Sequence, residues 1–210
     1  MAVENLVAFL VTATVLTMVP GLDTAMVLRS ATLHGARYGI ATAIGIAVGC
    51  LCWGSAAAFG LAALLRAWPS IFAGLKWAGA IYLAWLGLQF LFRPRCALAT
   101  ETEPRPAGGL GITLRGGLVT NLLNPKVGLF YMTLLPQFIP ASARGSGPAL
   151  MLASLHVGIV LIWFWLLSTL SEKIRPWLRR PGVMRTVDRV TGGIFVILGL
   201  ELVQVAGLHA

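Results

Sequence analysis

The chain is poor in charge. Of its 210 residues only 11% are Asp, Glu, Lys or Arg, while 58% are hydrophobic; a soluble domain carries about 25% charged residues. With so few polar side chains it cannot cover a water-exposed surface, and an all-α polytopic membrane protein is expected. Acidic residues are scarcest, 7 against 16 Lys and Arg, for a net charge of +9. The basic residues fall between apolar runs and not on a soluble module, which is the pattern of membrane loops and gives no reason to expect a nucleic-acid partner. Cysteine is also nearly lacking. Cys50 and Cys52 share one apolar segment and Cys96 lies in a basic loop, so reduced thiols are expected and no disulfide framework. There is no metal-ligand spacing, no phosphate-cradling loop and no nucleophile–base constellation, so neither an enzyme nor a bound metal or cofactor is expected. No Lys or Arg precedes the first apolar stretch, which reads as a retained span and not a signal peptide.

What is present is a series of six apolar runs, near 5–28, 39–65, 70–92, 117–139, 148–170 and 190–208, each long enough to span at about 20 residues per helix. Connectors after the first, third and fifth runs hold twelve Lys and Arg, against three on the opposite side. That asymmetry puts the basic connectors in the cytoplasm and both termini in the periplasm of a bacterial inner membrane. One transmembrane domain is expected: residues 1–92 as a first three-helix repeat, 93–116 as a cytoplasmic loop and 117–210 as a second repeat of opposite orientation. Gly45 and Gly49 form a GxxxG pair, which serves either packing within the chain or a homo-oligomer contact. The basic run Glu172–Arg189 reads as a connector anchored on anionic lipid.

Two of the runs are interrupted in corresponding places. The first carries Pro20-Gly21-Leu22-Asp23-Thr24, and the fourth carries Asn121-Leu122-Leu123-Asn124-Pro125-Lys126. Proline lacks the backbone N–H and clashes with the preceding turn, so helices 1 and 4 should break at Pro20 and Pro125. Interrupted segments at matching positions of two inverted halves point to a transporter's binding site. Asn is a strong N-cap and Pro suits the first helical position, so a half-helix should start at Pro125 with its positive end deep in the membrane. Lys126 adds a full charge there, too far from the span ends to snorkel. Asp23 is the complementary group; a carboxylate inside a span costs about 2.5–3.5 kcal/mol on insertion scales. The competing reading of Asp23 is an interfacial carboxylate, because only Thr24–Leu28 follow it in the apolar run. Thr24, Asn121 and Asn124 offer neutral hydrogen bonds nearby. His156 is either a proton relay or a helix-packing hydrogen bonder, and Glu201 either faces a cavity or sits near the outer interface.

The elements Pro20-Gly21-Leu22-Asp23, Gly35-x-x-x-Gly39, Gly45-Ile46-Ala47-Val48-Gly49, the segment Trp77–Gly87 and Asn121–Lys126 together resemble the LysE/RhtB family of bacterial amino-acid exporters, in the same order over nearly the whole chain. The resemblance implies a six-span inner-membrane exporter of amino acids or their derivatives, driven by proton antiport. Leu22 stands where the family's first motif has a second proline. The combined expectation is a zwitterionic substrate with its carboxylate on Lys126 and the half-helix at Pro125, and its ammonium, or a counter-proton, on Asp23. The partners are then an amino acid, protons and membrane lipid. A passive channel or structural subunit, and a thiol–disulfide electron carrier, are the alternatives. Fusing a reporter that is active only outside the cytoplasm to the C-terminus should give activity, while a fusion within 93–116 should be silent; the reverse pattern would invert the topology.

Overall fold

The computed structural model describes residues 3–61, 69–94, 109–139, 146–178 and 180–207, and every regular element among them is a helix. Helix α1 runs over Val3–Met18 and α2 over Leu22–His34. The two are bent 53° apart across Val19-Pro20-Gly21. Gly35, with φ 95°, ends α2 by turning the chain through a conformation that side chains rarely adopt. Helix α3, Ala36–Ser55, follows at once and runs on through a π-helical turn, Ala56–Leu61. Helix α4 covers Pro69–Phe92. The second broken helix consists of α5, Leu110–Leu122, and α6, Pro125–Leu129. A π-helical turn (Phe130–Leu134) and a 3-10 turn (Leu135–Phe138) carry α6 onward. Three more helices follow: α7, Gly147–Thr169; α8, Ser171–Leu178; and α9, Pro181–Gly207.

Several boundaries differ from those expected. Helix α2 extends to His34, past the expected end at 28. Helix α5 starts at Leu110, so the tail of the segment expected as loop 93–116 is helical. The run Glu172–Arg189, expected as a connector, is mostly helix: α8 and the first turns of α9. One cause covers all three. Hydropathy marks where a helix leaves the apolar layer, not where it ends, and Arg, Leu and Met propagate a helix equally well in water.

Among the described residues two helices, Ala36–Gly60 and Gly147–Thr169, are singly long and apolar enough to cross a bilayer, and the bent pair α1–α2 makes a third. The outward faces are apolar. Ile44, Val48 and Leu51 on α3, and Ile81, Trp85 and Leu88 on α4, are exposed at helical spacing, as on a surface made for lipid.

Helix crossings are close. A Cβ on Gly45 would fall on the Leu114 carbonyl, and one on Gly117 on the Thr42 carbonyl, so α3 and α5 touch backbone to backbone. Gly54 meets Ala153 and Gly39 meets Ser168, which sets α3 antiparallel to α7. Gly87 and Gly192 meet each other's carbonyls, and Gly199 meets Ala80, which does the same for α4 and α9. The Gly45/Gly49 pair therefore works within the chain, Gly45 against α5 and Gly49 against the side chain of Asn121. Overpacking such a contact costs about 1–3 kcal/mol. Gly45→Ala should lower unfolding stability in detergent by about that amount. Gly158→Ala, which faces open space, should leave it unchanged or slightly raised.

Candidate functional site

The two helix breaks lie side by side. In an unbroken helix the Leu16 carbonyl would accept from the N–H of residue 20, but residue 20 is proline and has none. Lys126 fills the gap: its Nζ donates to Leu16 O at 3.1 Å and to Val19 O at 3.1 Å. Gly21 leaves room for it, since a Cβ there would lie 3.2 Å from Nζ. Lys126 reaches this point from the first turn of α6. Asn124 caps that helix, its side chain accepting from the Lys126 backbone N–H at 3.2 Å, with Pro125 as first helical residue. The end of one broken helix is thus completed by the start of the other.

Asp23 lies in the first turn of α2, buried, with Lys126 as its nearest counter-charge. Its Oδ2 accepts from Asn121 Nδ2 at 2.9 Å. The Asn124 amide stands beside the same carboxylate but outside hydrogen-bonding geometry. Three buried atoms are consequently without partners: Asp23 Oδ1, Asn121 Oδ1 and Asn124 Nδ2. Two are acceptors and one is a donor. Orphaned buried polar atoms cost about 1–3 kcal/mol each and are uncommon in native proteins. Here they gather around an acid and a base. Asp23 borders a cavity of about 20 Å³, lined also by Thr24, Lys126 and His156 on its polar side and by Leu16, Val160 and Phe164 on its apolar side. That is room for about one water molecule. A second, apolar recess of about 590 Å³ opens on the other side of the α5–α6 break, between Trp53, Tyr82, Leu123 and Leu129. Trp53 also donates from Nε1 to the Asn121 carbonyl at 3.4 Å and packs on Gly128.

The structure brings Asp23, Thr24, Asn121, Asn124 and Lys126 together and sets Pro20, Gly21 and Pro125 at the two breaks. Asp23 is buried, and α2 continues eleven residues beyond it, to His34. His156 lines the same cavity, whereas the side chain of Glu201, on α9, lies outside the described residues. Cys96 also lies outside them; Cys50 is free and buried at the cavity, and Cys52 is free and exposed on the opposite face of α3. Sequence reasoning missed Thr17, Tyr131 and Phe164. Nothing in their spacing sets them apart from ordinary packing residues of apolar helices. Among the described residues no group of three or more His, Cys, Asp or Glu could hold a metal ion.

Comparison with known proteins bears on what such an arrangement serves. The family model described as LysE type translocator matches residues 14–205. The chain is 34% identical over 172 residues to the leucine efflux protein of an Enterobacter species, covering 80% of this chain and 78% of that one. It is 29% identical over 195 residues to the homoserine/homoserine lactone efflux protein of Salmonella typhimurium, covering 93% and 94%. An uncharacterized membrane protein of Bacillus subtilis is 26% identical over 205 residues, covering 94% and 98%. No solved structure matches.

Lys126→Met would strand two carbonyls and leave Asp23 unpaired, and should destabilise the protein by about 3–5 kcal/mol. Adding Pro20→Ala restores an N–H for Leu16 O and should recover about 0.5–1.5 kcal/mol. Chemical unfolding in detergent measures both. If the double variant were no more stable than Lys126→Met alone, the lysine would not be completing that helix end.

Proposed function

The chain belongs to the LysE type translocator family, and on that premise we propose that it exports amino acids across the bacterial inner membrane by proton antiport with alternating access. The observation that carries the reading is the set of unpartnered atoms at the paired breaks. An α-ammonium group needs acceptors, and Asp23 Oδ1, at the cavity, is an open acceptor. A carboxylate needs donors; the Lys126 ammonium lines the cavity, and Asn124, which caps the helix that carries Lys126, has an open donor in Nδ2. An amino-acid backbone is the small zwitterion that offers both. In its absence a proton on Asp23 would neutralise the carboxylate, so ammonium and proton compete for one group, as antiport requires. Inward proton movement then supplies about 2.3 kcal/mol per charge per 100 mV.

Alternating access is favoured because the cavity is closed to the size of a water. A substrate enters only if the helices part, whereas a passive channel needs no such closure. The antiparallel crossings of α3 with α7 and of α4 with α9 are what two inverted three-helix repeats would produce, their second and third helices meeting across the pseudo-two-fold axis. In this reading the six spans are α1–α2, α3, α4, α5–α6, α7 and α9.

The lining also argues for a neutral substrate. Beyond the acid and the base, the lining is apolar Leu16, Val127, Val160 and Phe164 with the uncharged Thr17, Thr24 and Cys50 and with His156, and among the described residues no second carboxylate lines it to receive a basic side chain. Relatives named for leucine and for homoserine efflux fit that class. Efflux of labelled amino acids from preloaded vesicles, with and without a proton gradient, tests the proposal. Neutral amino acids should leave in a gradient-dependent way and lysine should not. Asp23→Asn and Lys126→Ala should each slow export more than about tenfold. Wild-type rates and pH dependence in both variants would remove the site from these residues.

A further inference from the structure

His156, on α7, has both ring nitrogens engaged. Nε2 lies 3.1 Å from Thr17 Oγ1, and Nδ1 lies 2.9 Å from Tyr131 Oη. Counting protons fixes the direction of each bond. The single hydroxyl proton of Thr17 goes to the Ala13 carbonyl at 2.7 Å. With that proton placed there, Thr17 Oγ1 accepts from the ring, and the imidazole proton is assigned to Nε2. Nδ1 is then the acceptor, and the Tyr131 hydroxyl donates to it. The ring is a neutral group with one donor and one acceptor, its tautomer set by what stands on either side. Phe130 packs edge-on against it with centroids 4.9 Å apart.

The three residues come from three different segments. Thr17 lies in the last turn of α1, one residue past the carbonyl that receives Lys126. Tyr131 lies just beyond the second break, and His156 halfway along α7. His156 faces the same small cavity as Asp23, Lys126 and Cys50, the charged and titratable groups on the elements around it. Widening that cavity by parting α7 from α1 or from the segment after α6 would break at least one of the two ring bonds.

We propose that His156 is the positioning residue that holds the transport site closed, acting as a non-titrating donor–acceptor bridge and not as a proton carrier. The proposal rests on the reading of this cavity as the transport site, but its test does not require transport. Cys50 is buried at the cavity and reports its opening. The other two thiols are removed in a Cys52→Ser/Cys96→Ser protein, and labelling of Cys50 by a small water-soluble maleimide is followed in nanodiscs without substrate.

Thr17→Val and Tyr131→Phe each delete one arm with almost no change in shape. Each should raise the labelling rate about three- to tenfold, the worth of one net hydrogen bond. His156→Leu deletes both arms and should raise it further. His156→Gln keeps one N–H donor and one carbonyl acceptor and has no proton to exchange. It should restore protection to near the wild-type rate, and the ratio of the two rates should be constant between about pH 5 and 8, because the thiolate dependence of labelling is common to both. If His156→Gln labelled as fast as His156→Leu, or if Thr17→Val and Tyr131→Phe left Cys50 as protected as in the parent, the proposal would be overturned. A labelling rate that followed the ring's protonation in the parent but not in His156→Gln would also overturn it, and would make His156 a proton carrier.

Discussion

Everything at the centre of this protein depends on a carbonyl that proline leaves unserved. Pro20 takes one hydrogen bond away from α1, and inside a bilayer no water is at hand to replace it. The ammonium of Lys126 does so, reaching Leu16 O and Val19 O from the other half of the chain. One interaction thereby meets three requirements. It satisfies the broken helix, it gives a half-buried lysine two oxygen partners close to a carboxylate, and it holds the two breaks in register. A proline kink healed within its own helix would have needed no lysine and would have brought no charge to the middle of the fold.

The glycines explain how the breaks come close enough. Gly45, Gly117 and Gly49 let α3 and α5 approach until Asn121 lies against α3 and its amide reaches Asp23. Gly21 leaves the space that Lys126 occupies. Close packing of small residues is the main source of helix association in lipid, where apolar burial against water is not available. Packing and site are therefore one problem here, because the contacts that hold the helices together also place the polar groups.

Those polar groups are left incompletely paired, as the proposed binding site requires. A network serving stability alone would pair Asp23 Oδ1, Asn121 Oδ1 and Asn124 Nδ2, since each unpaired atom carries a desolvation cost. Both kinds of open valence, acceptor and donor, lie where an acid and a base already stand. The closed cavity and the bridge from Thr17 through His156 to Tyr131 add the complementary feature. The site is sealed by neutral hydrogen bonds, which separate at lower cost than an ion pair in the same low-dielectric surroundings.

Much of this was legible in the chain itself. Low charge and long apolar runs determine a helical membrane protein, because only helices satisfy the backbone of such runs in lipid. Pro20 and Asn124-Pro125 determine where two helices break, because proline lacks a donor and Asn caps a helix start. Asp23 and Lys126 stand out because charge is costly in a span. The tertiary structure alone decided the rest. Helix ends at His34, Leu110 and Pro181 did not follow hydropathy, since a helix continues into water wherever its residues permit. That Lys126 serves Leu16 across 110 positions of sequence, and that His156 has its tautomer set by Thr17 and Tyr131, depend on how the helices are rotated and where they cross. Pattern along one helix names the residues that must avoid lipid, but it does not say which of them meet, because that choice is made by contacts between helices far apart in the chain.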